Sequence, residues 1–207
     1  IESGSQDALE AWRKQATVDQ AERAVAILDA AGISAAAGTI VFRPNMTRES
    51  ILRDLALLER LAQQAPRFVF YGLNELDILE GTPLGAAHGE LDWMLDWRSP
   101  DPAVQRIYRH WREVQALVLF PAIRLLPLAR NLRVRRALCR WQIDTLRALV
   151  ACSVDRSAPD WPELTSSMAR LVLAEAGSRA VTDFLVKREA LMSSSRDHLP
   201  EAERCFD

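Results

Sequence analysis

The first third of the chain alternates short apolar runs with stretches that have helical spacing. Apolar runs lie at residues 33–42 and 67–73, and residues 1–5 read as the end of a strand that runs into a small polar turn. The first helical stretch, from Gln6 to about Gln15, places Leu9 and Trp12 on one face. Strand, helix, strand, helix, strand is the order typical of a parallel α/β sheet, because parallel strands need a crossover connection. We therefore predict three parallel strands up to about residue 73. The opening strand has no upstream neighbour in this sequence, so we expect it to pair with another part of a larger barrel.

Local signals mark the ends of the predicted helices. Thr17 and Gln20 have the spacing of a capping box, in which each side chain accepts a hydrogen bond from the other residue's backbone. Gly32 is suited to end the helix that begins at Thr17. Thr47 is suited to cap the next helix, and Pro66 is suited to end that second helix. The predicted buried stripe of this last helix is Ile51, Leu52, Leu55, Leu58 and Leu61.

Polar or glycine-containing turns follow all three predicted strands, at residues 2–5, 42–45 and 73–75. Ligand sites of parallel α/β folds gather at the carboxyl ends of the strands. Gly4 and Gly38 would let the backbone approach a ligand closely. Ordinary tight turns have the same composition, so both interpretations stand at this point.

The second half, from residue 92 onward, is predicted to be helical. Asp101 followed by Pro102 is a strong helix start. The apolar stretch 116–129 predicts a bent core helix because prolines interrupt it, and a linker at 153–162 precedes helices at 163–176 and 178–192. The apolar stripe after Asp101 is Val104, Ile107, Tyr108, Trp111, Val114 and Val118. We predict two domains, residues 1–91 and 92–207.

Composition narrows the class of protein. The chain has 207 residues, 49% of them hydrophobic, which is enough for a sizeable core. A net charge of −2 gives no general attraction to nucleic acid or to an anionic membrane. The sequence shows no signal peptide and no apolar run of membrane-spanning length. The three cysteines are odd in number and lack a C-x-x-C spacing, so we expect reduced thiols, buried in the case of Cys139 and Cys152, and a cytoplasmic location.

Arginines are concentrated between residues 124 and 147, where Asp144 is the single acidic residue. Base stacking would need regularly spaced aromatic residues, and Trp141 stands alone, so we expect no nucleic-acid partner. A solvated helix face, or a docking face for another part of the same protein, is the favoured interpretation. The histidines have no metal-ligand spacing, so no metal site is expected within this chain. The arginines are Arg124, Arg130, Arg133, Arg135, Arg136, Arg140 and Arg147.

Several motifs occur in a fixed order. Residues 2–5 read ESGS, Lys14 and Thr17 follow, residues 31–33 read AGI and residues 38–42 read GTIVF. This order resembles the middle of radical S-adenosylmethionine (SAM) enzymes.

Two further segments extend the resemblance to residues 1–85. Residues 80–84 (EGTPL) are similar to the family's P-G-T-P-L segment. Residues 42–47 (FRPNMT) are similar to the F-x-P-x-T-T turn of members that carry an upstream cobalamin-binding domain, but they depart from it at Met46.

The resemblance implies a fold and a chemistry. It implies that this chain is the C-terminal half of a partial (β/α)6 TIM-like barrel with a helical C-terminal extension. In such enzymes a C-x-x-x-C-x-x-C loop after the first strand holds a 4Fe–4S cluster. The cluster binds SAM and cleaves it reductively to a 5′-deoxyadenosyl radical, or cobalamin assists methyl transfer. None of the three cysteines has that spacing, so the cluster ligands are expected upstream of Ile1, and this chain alone is expected to be inactive.

The resemblance also implies which residues bind the cofactor. Glu2 and Ser3 would face the ribose and methionyl groups of SAM, the backbone of residues 38–42 would meet the adenine, and residues 71–74 would close the far wall. The implied cofactor-binding residues are Glu2, Ser3, Ser5, Gly38, Ile40, Phe42, Tyr71 and Asn74. Asn45 and Glu75 are expected to face the substrate, a small molecule or a peptide.

A different class of function is also compatible with these patterns. The chain could be a non-catalytic binding or scaffold module derived from such a barrel, with the arginine-rich helices as its interface. A C-x-x-x-C-x-x-C motif upstream of Ile1 would distinguish the enzyme from the scaffold.

Overall fold

The computed structural model describes residues 2–43, 46–76, 86, 101–127, 131–155 and 157–197. Within these ranges the chain is mixed α/β and mostly helical, with a small parallel sheet. The elements are α1 Gln6–Ala11, α2 Val18–Ala30, β1 Ala36–Phe42, α3 Arg48–Gln64, β2 Val69–Glu75, α4 Pro102–Val114, a π-helical turn Gln115–Leu119, α5 Phe120–Ile123, α6 Leu132–Asp155, α7 Trp161–Ala176 and α8 Ser178–Asp197.

Strands β1 and β2 are parallel, with Ala36 opposite Val69 and Ile40 opposite Asn74. The opening segment lies along the other side of β1, where the backbone N–H of Ile40 donates to the carbonyl oxygen of Glu2 at 3.3 Å. The prediction of a parallel α/β arrangement is therefore confirmed for this part of the chain, while the larger barrel stays a prediction. Strand β1 begins three residues later than expected, because the N–H of Ile33 bonds back to Leu28 as part of the helix end.

The predicted capping box at Thr17 and the predicted N-cap at Thr47 are both formed. Thr17 accepts from the N–H of Gln20, and the Gln20 side chain accepts from the N–H of Thr17. Thr47 forms the same reciprocal pair with Ser50 at the start of α3. Four of the five residues predicted to be buried along α3 are buried, but Leu52 is 40% exposed, so that part of the prediction is wrong. Its place on the buried face is taken by Asp54, which is 0% exposed.

Helix α1 is shorter than predicted, ending at Ala11 and not near Gln15. Arg13 adopts a left-handed φ of 54°. The N–H groups of Arg13 and Lys14 donate to the carbonyls of Glu10 and Leu9, which is a Schellman end. Gly32 ends α2 in the same way with a φ of 75°, as predicted. A non-glycine residue rarely takes this conformation, so the helix end at Arg13 could not be predicted from the residue type.

The helical second half follows its predicted pattern closely. Asp101 caps α4, accepting from the N–H of Ala103 at 2.8 Å, and all six residues of the predicted stripe are buried. The helix continues through the π-helical turn into α5, which ends at Ile123. Pro121 has no N–H to donate to the preceding helical turn, which accounts for the π-helical geometry of residues 115–119. The predicted bent helix is thus shorter than 116–129, and residues 128–130 lie outside the described ranges.

The last two helices differ from their predicted bounds at the ends. Helix α7 begins at Trp161, two residues early, because Asp160 serves as its N-cap and accepts from the N–H of Glu163 at 2.9 Å. Helix α8 continues to Asp197, five residues past the expected end. Among the described residues, none of the helices combines the length and apolar character needed to cross a membrane.

The chain forms two compact units. The first comprises residues 1–108 and 139–157, and the second comprises residues 109–138 and 158–207. The sheet and helices α1 to α3 belong to the first unit, and α7 and α8 belong to the second. The predicted domain boundary at residues 91–92 lies outside the described residues.

Candidate functional site

Three of the predicted cofactor-binding residues lie side by side across the sheet. The carbonyl of Glu2 accepts from the N–H of Ile40 at 3.3 Å, and Ile40 is opposite Asn74 in the β1–β2 register. All three lie towards the carboxyl ends of their segments, and Asn74 is exposed. The motifs at residues 2–5 and 38–42 and the end of β2 thus meet at one edge of the sheet.

Several of the predicted site residues lie partly or wholly outside the described part of the structure. The backbones of Tyr71 and Glu75 belong to β2, with Glu75 opposite Phe42, but their side chains lie outside the described part of the structure. Asn45 lies outside it entirely, as do residues 80–84, which carry the EGTPL motif.

The carboxylate of Glu2 is accessible. Its Oε1 lies 3.0 Å from Nζ of Lys14, and the two side chains are 40% and 47% exposed. Lys14 follows the left-handed turn at Arg13 that ends α1. An exposed ion pair of this kind contributes only about 0–1 kcal/mol. The carboxylate can therefore exchange Lys14 for the hydroxyl groups of a ligand at little cost.

Strand β1 leaves an open strip of backbone at Gly38. The residue is exposed, and a Cβ atom added there would have no neighbour within 4 Å among the described residues. A flat ring can approach the peptide groups on either side of such a glycine. The space beside Gly38 is consistent with the adenine position that the resemblance implies.

Phe42 is placed differently from Gly38. Its side chain is 1% exposed, and its ring packs on Tyr108 of α4 with centroids 5.3 Å apart and planes tilted by 60°. This tilted ring contact and the burial of the side chain hold the Phe42 ring in the core. Only the backbone of Phe42 is left to contribute to a ligand site.

Ser3 and Ser5 are both buried, at 2% and 4% exposed. The Ser3 hydroxyl donates to Oδ1 of Asp54 at 2.7 Å and accepts from the N–H of Ser5 at 3.0 Å. Its hydrogen-bonding capacity is therefore largely used within the protein, and its contribution is to fix the shape of the turn.

Gly4 approaches a helix and not a ligand. Its N–H donates to Oδ1 of Asp54 at 2.6 Å, and an added Cβ would lie 2.6 Å from the carbonyl oxygen of Arg53 and 2.9 Å from Cβ of Leu57. The glycine is required because the opening turn is pressed onto α3.

Sequence reasoning missed the buried pair of Asp54 and Arg43. Oδ2 of Asp54 lies 2.5 Å from Nη1 of Arg43, and the two side chains are 0% and 4% exposed. Nη1 of Arg43 also donates to the carbonyls of Ile40 and Val41, each at 3.2 Å. The one available signal was the position of Asp54, which lies on the apolar face of α3 defined by Ile51 and Leu55.

A groove of about 370 Å³ lies beside this pair, between α1 and the start of α3. Ser5, Trp12, Arg43 and Met46 are among the residues that line it. The guanidinium of Arg43 lies 5.4 Å from the centre of the Trp12 ring, which is a cation–π contact between two of the lining residues. Asp54 already compensates the charge of Arg43, so the groove offers little net attraction to an anion.

Arg147 and Arg133 of the arginine cluster each form an ion pair within their own compact unit. Arg147 lies 2.9 Å from Glu59 of α3, and Arg133 lies 3.0 Å from Glu175 of α7. Arg130 is outside the described ranges. These ion pairs neutralise part of the positive charge of the cluster, and each connects α6 to another helix of the same unit. Within the described residues, no group of three or more His, Cys, Asp or Glu side chains is arranged to hold a metal ion.

Comparison of this chain with protein-family models, with curated proteins and with solved structures finds no significant match.

Proposed function

We propose that this chain is the C-terminal part of a radical SAM enzyme and supplies one wall of its SAM site. The observation that supports this best is the row formed by Glu2, Ile40 and Asn74 across a parallel sheet. Glu2 and Ile40 come from separate motifs of the ordered set, and Asn74 comes from the end of β2, between two further motifs. Gly38, whose backbone is exposed, lies on the same strand as Ile40.

Each residue has a chemically suitable role in this proposal. The Glu2 carboxylate accepts hydrogen bonds from the ribose hydroxyls, which are charge-assisted and therefore strong. The backbone around Gly38 and Ile40 seats the adenine, and Asn74 provides an amide that can both donate and accept. SAM and a 4Fe–4S cluster, whose ligands lie upstream of Ile1, supply the radical chemistry. The residues of this chain bind the cofactor, orient it and exclude water.

The finer features of the fold belong to the same proposal. The opening segment, β1 and β2 would be the last three strands of a partial (β/α)6 barrel, paired with its other half. The contact between Tyr108 and Phe42 brings α4 to the carboxyl end of β1, where a substrate would enter. Asn45 and Glu75 would face a small-molecule or peptide substrate there. Use of cobalamin would depend on an upstream domain, and the setting would be the cytoplasm.

The test is SAM binding and cleavage by the complete gene product. The reading frame that includes the coding sequence upstream of Ile1 is expressed, and the protein is reconstituted anaerobically with iron and sulfide. We expect a C-x-x-x-C-x-x-C motif in that upstream sequence, saturable SAM binding, and 5′-deoxyadenosine after reduction. A reading frame without the motif, together with absence of SAM binding, would contradict the proposal and favour the scaffold module.

A further inference from the structure

Asp54 is a carboxylate inside the core whose two oxygens both have partners. Oδ1 accepts from the Ser3 hydroxyl at 2.7 Å and from the N–H of Gly4 at 2.6 Å. Oδ2 accepts from Nη1 of Arg43 at 2.5 Å. The residue itself is 0% exposed.

The hydrogen-bond partners of Asp54 belong to two separate segments of the chain. Ser3 and Gly4 form the turn after the opening segment, about fifty residues away in sequence. Arg43 directly follows β1, and its Nη1 group also donates hydrogen bonds to the carbonyl oxygens of Ile40 and Val41. A single side chain on α3 therefore fixes the carboxyl ends of two neighbouring segments of the sheet.

We propose that Asp54 is a positioning residue that fixes the turn at residues 2–5 and the end of β1 relative to each other. This places the Glu2 carboxylate beside the backbone of Ile40 without any contact between Asp54 and a ligand. The consequence for SAM rests on the proposed function, whereas the restraint on the turn does not.

The energetic character of the site supports a positioning role. A leucine at this helix position would extend the apolar stripe of Ile51, Leu55 and Leu58, and burial of an ion pair rarely adds stability over such a replacement. A fully hydrogen-bonded buried network instead fixes one geometry. The contact of Gly4 with the backbone of Arg53 is an independent restraint on the same turn.

Two variants separate the two sides of the network, and both are made in the complete protein. Ser3→Ala removes an uncharged hydroxyl that donates to Asp54 and accepts a hydrogen bond from the N–H of Ser5. Asp54→Asn keeps an oxygen for Ser3 and Gly4 but presents an NH2 group to Arg43. Asp183→Asn, an exposed change of the same type on α8, is the matched control. Amide hydrogen exchange of residues 3–5 and the Kd for SAM are measured on each.

We expect amide exchange at Gly4 to be at least about tenfold faster in both variants. Ser3→Ala removes the hydroxyl that links the turn to Oδ1 of Asp54, and Asp54→Asn gives the N–H of Gly4 a neutral acceptor in place of a charged one and sets an NH2 group against Arg43. We also expect the Kd for SAM to rise about tenfold, with exchange in α7 and α8 unchanged and Asp183→Asn like the wild type. A folded Asp54→Asn protein with wild-type exchange in the turn would overturn the inference. Faster exchange together with wild-type SAM affinity would overturn the proposed consequence for SAM binding.

The remaining outcomes are also decisive. If Asp54→Asn does not fold, exchange at Gly4 in Ser3→Ala decides the question, because the N–H of Gly4 keeps its own bond to Asp54 and exchanges faster only if the contact of Ser3 with Asp54 holds the turn. If the wild-type protein does not bind SAM, the proposed function fails, and exchange in the turn alone decides whether Asp54 holds it.

Discussion

The thiol of Cys139 lies at the edge of β2 that faces away from β1, within hydrogen-bonding distance of both backbone polar atoms of Phe70. The N–H of Phe70 donates to Sγ at 3.3 Å, and the S–H donates to the carbonyl oxygen of Phe70 at 3.2 Å. The preceding N–H, that of Val69, points towards β1 and bonds to Ala35. Helix α6 therefore covers this strand edge and supplies a partner for backbone groups that would otherwise be buried without one.

We predict that Cys139→Ala destabilises the protein by about 1–3 kcal/mol, because it leaves the N–H and carbonyl of Phe70 without a partner. Cys139→Ser restores a donor and an acceptor and should lose less. Urea denaturation measures the change in the free energy of unfolding. The control is Cys152→Ala, at a half-buried position, which we expect to stay within about 0.5 kcal/mol of the wild type. Equal stability of Cys139→Ala and Cys139→Ser would contradict the hydrogen-bonding role of the thiol.

Gly4 and Gly38 should respond oppositely to alanine. Gly4→Ala places a Cβ 2.6 Å from the carbonyl oxygen of Arg53, and we expect a loss of about 1–3 kcal/mol from overpacking. Gly38→Ala meets no atom within 4 Å and should be neutral or stabilise by up to about 1 kcal/mol. If SAM lies on β1 as proposed, Gly38→Ala should weaken SAM binding while leaving the melting temperature unchanged. Unaltered SAM affinity in Gly38→Ala would argue that adenine does not contact this strand.

The N-cap of α3 gives a separate prediction about stability. Thr47→Ala removes the oxygen that accepts from the N–H of Ser50 at 3.1 Å. We expect a loss of about 1 kcal/mol in the free energy of unfolding. Thr182→Ala serves as the control, because Thr182 lies within α8 and its hydroxyl bonds only back to Ser178. A loss in Thr182→Ala as large as that in Thr47→Ala would show that the cap at Thr47 is not responsible.

Features that depend on neighbouring residues could be predicted from the sequence. Thr17 with Gln20, Gly32, Thr47 and Asp101 each act within four residues of their own position, and each ends or begins a helix as predicted. The order of strands and helices follows equally from hydrophobic spacing.

Features that depend on distant residues could not be predicted. Helical periodicity places residue 54 on the apolar face of α3, whereas a carboxylate at that position argues for exposure. Arg43 and the turn at Ser3 and Gly4 supply the donors that make its burial favourable. The same applies to the candidate site: the motifs named Ser3 and Phe42, yet their side chains are occupied by Asp54 and Tyr108. Contacts across fifty or more residues leave no periodic signal in the sequence.

The most direct test of the proposed function is the SAM affinity of Glu2→Gln in the complete, cluster-reconstituted protein. Glutamine keeps the shape of the side chain and removes its charge, so charge-assisted hydrogen bonds worth about 1.5–3 kcal/mol are weakened. We predict a Kd for SAM raised by about tenfold or more and a matching fall in 5′-deoxyadenosine yield at subsaturating SAM, while Glu189→Gln, an exposed change on α8, behaves like the wild type. Wild-type SAM affinity and wild-type 5′-deoxyadenosine yield in Glu2→Gln would contradict the assignment of the opening turn to the SAM site.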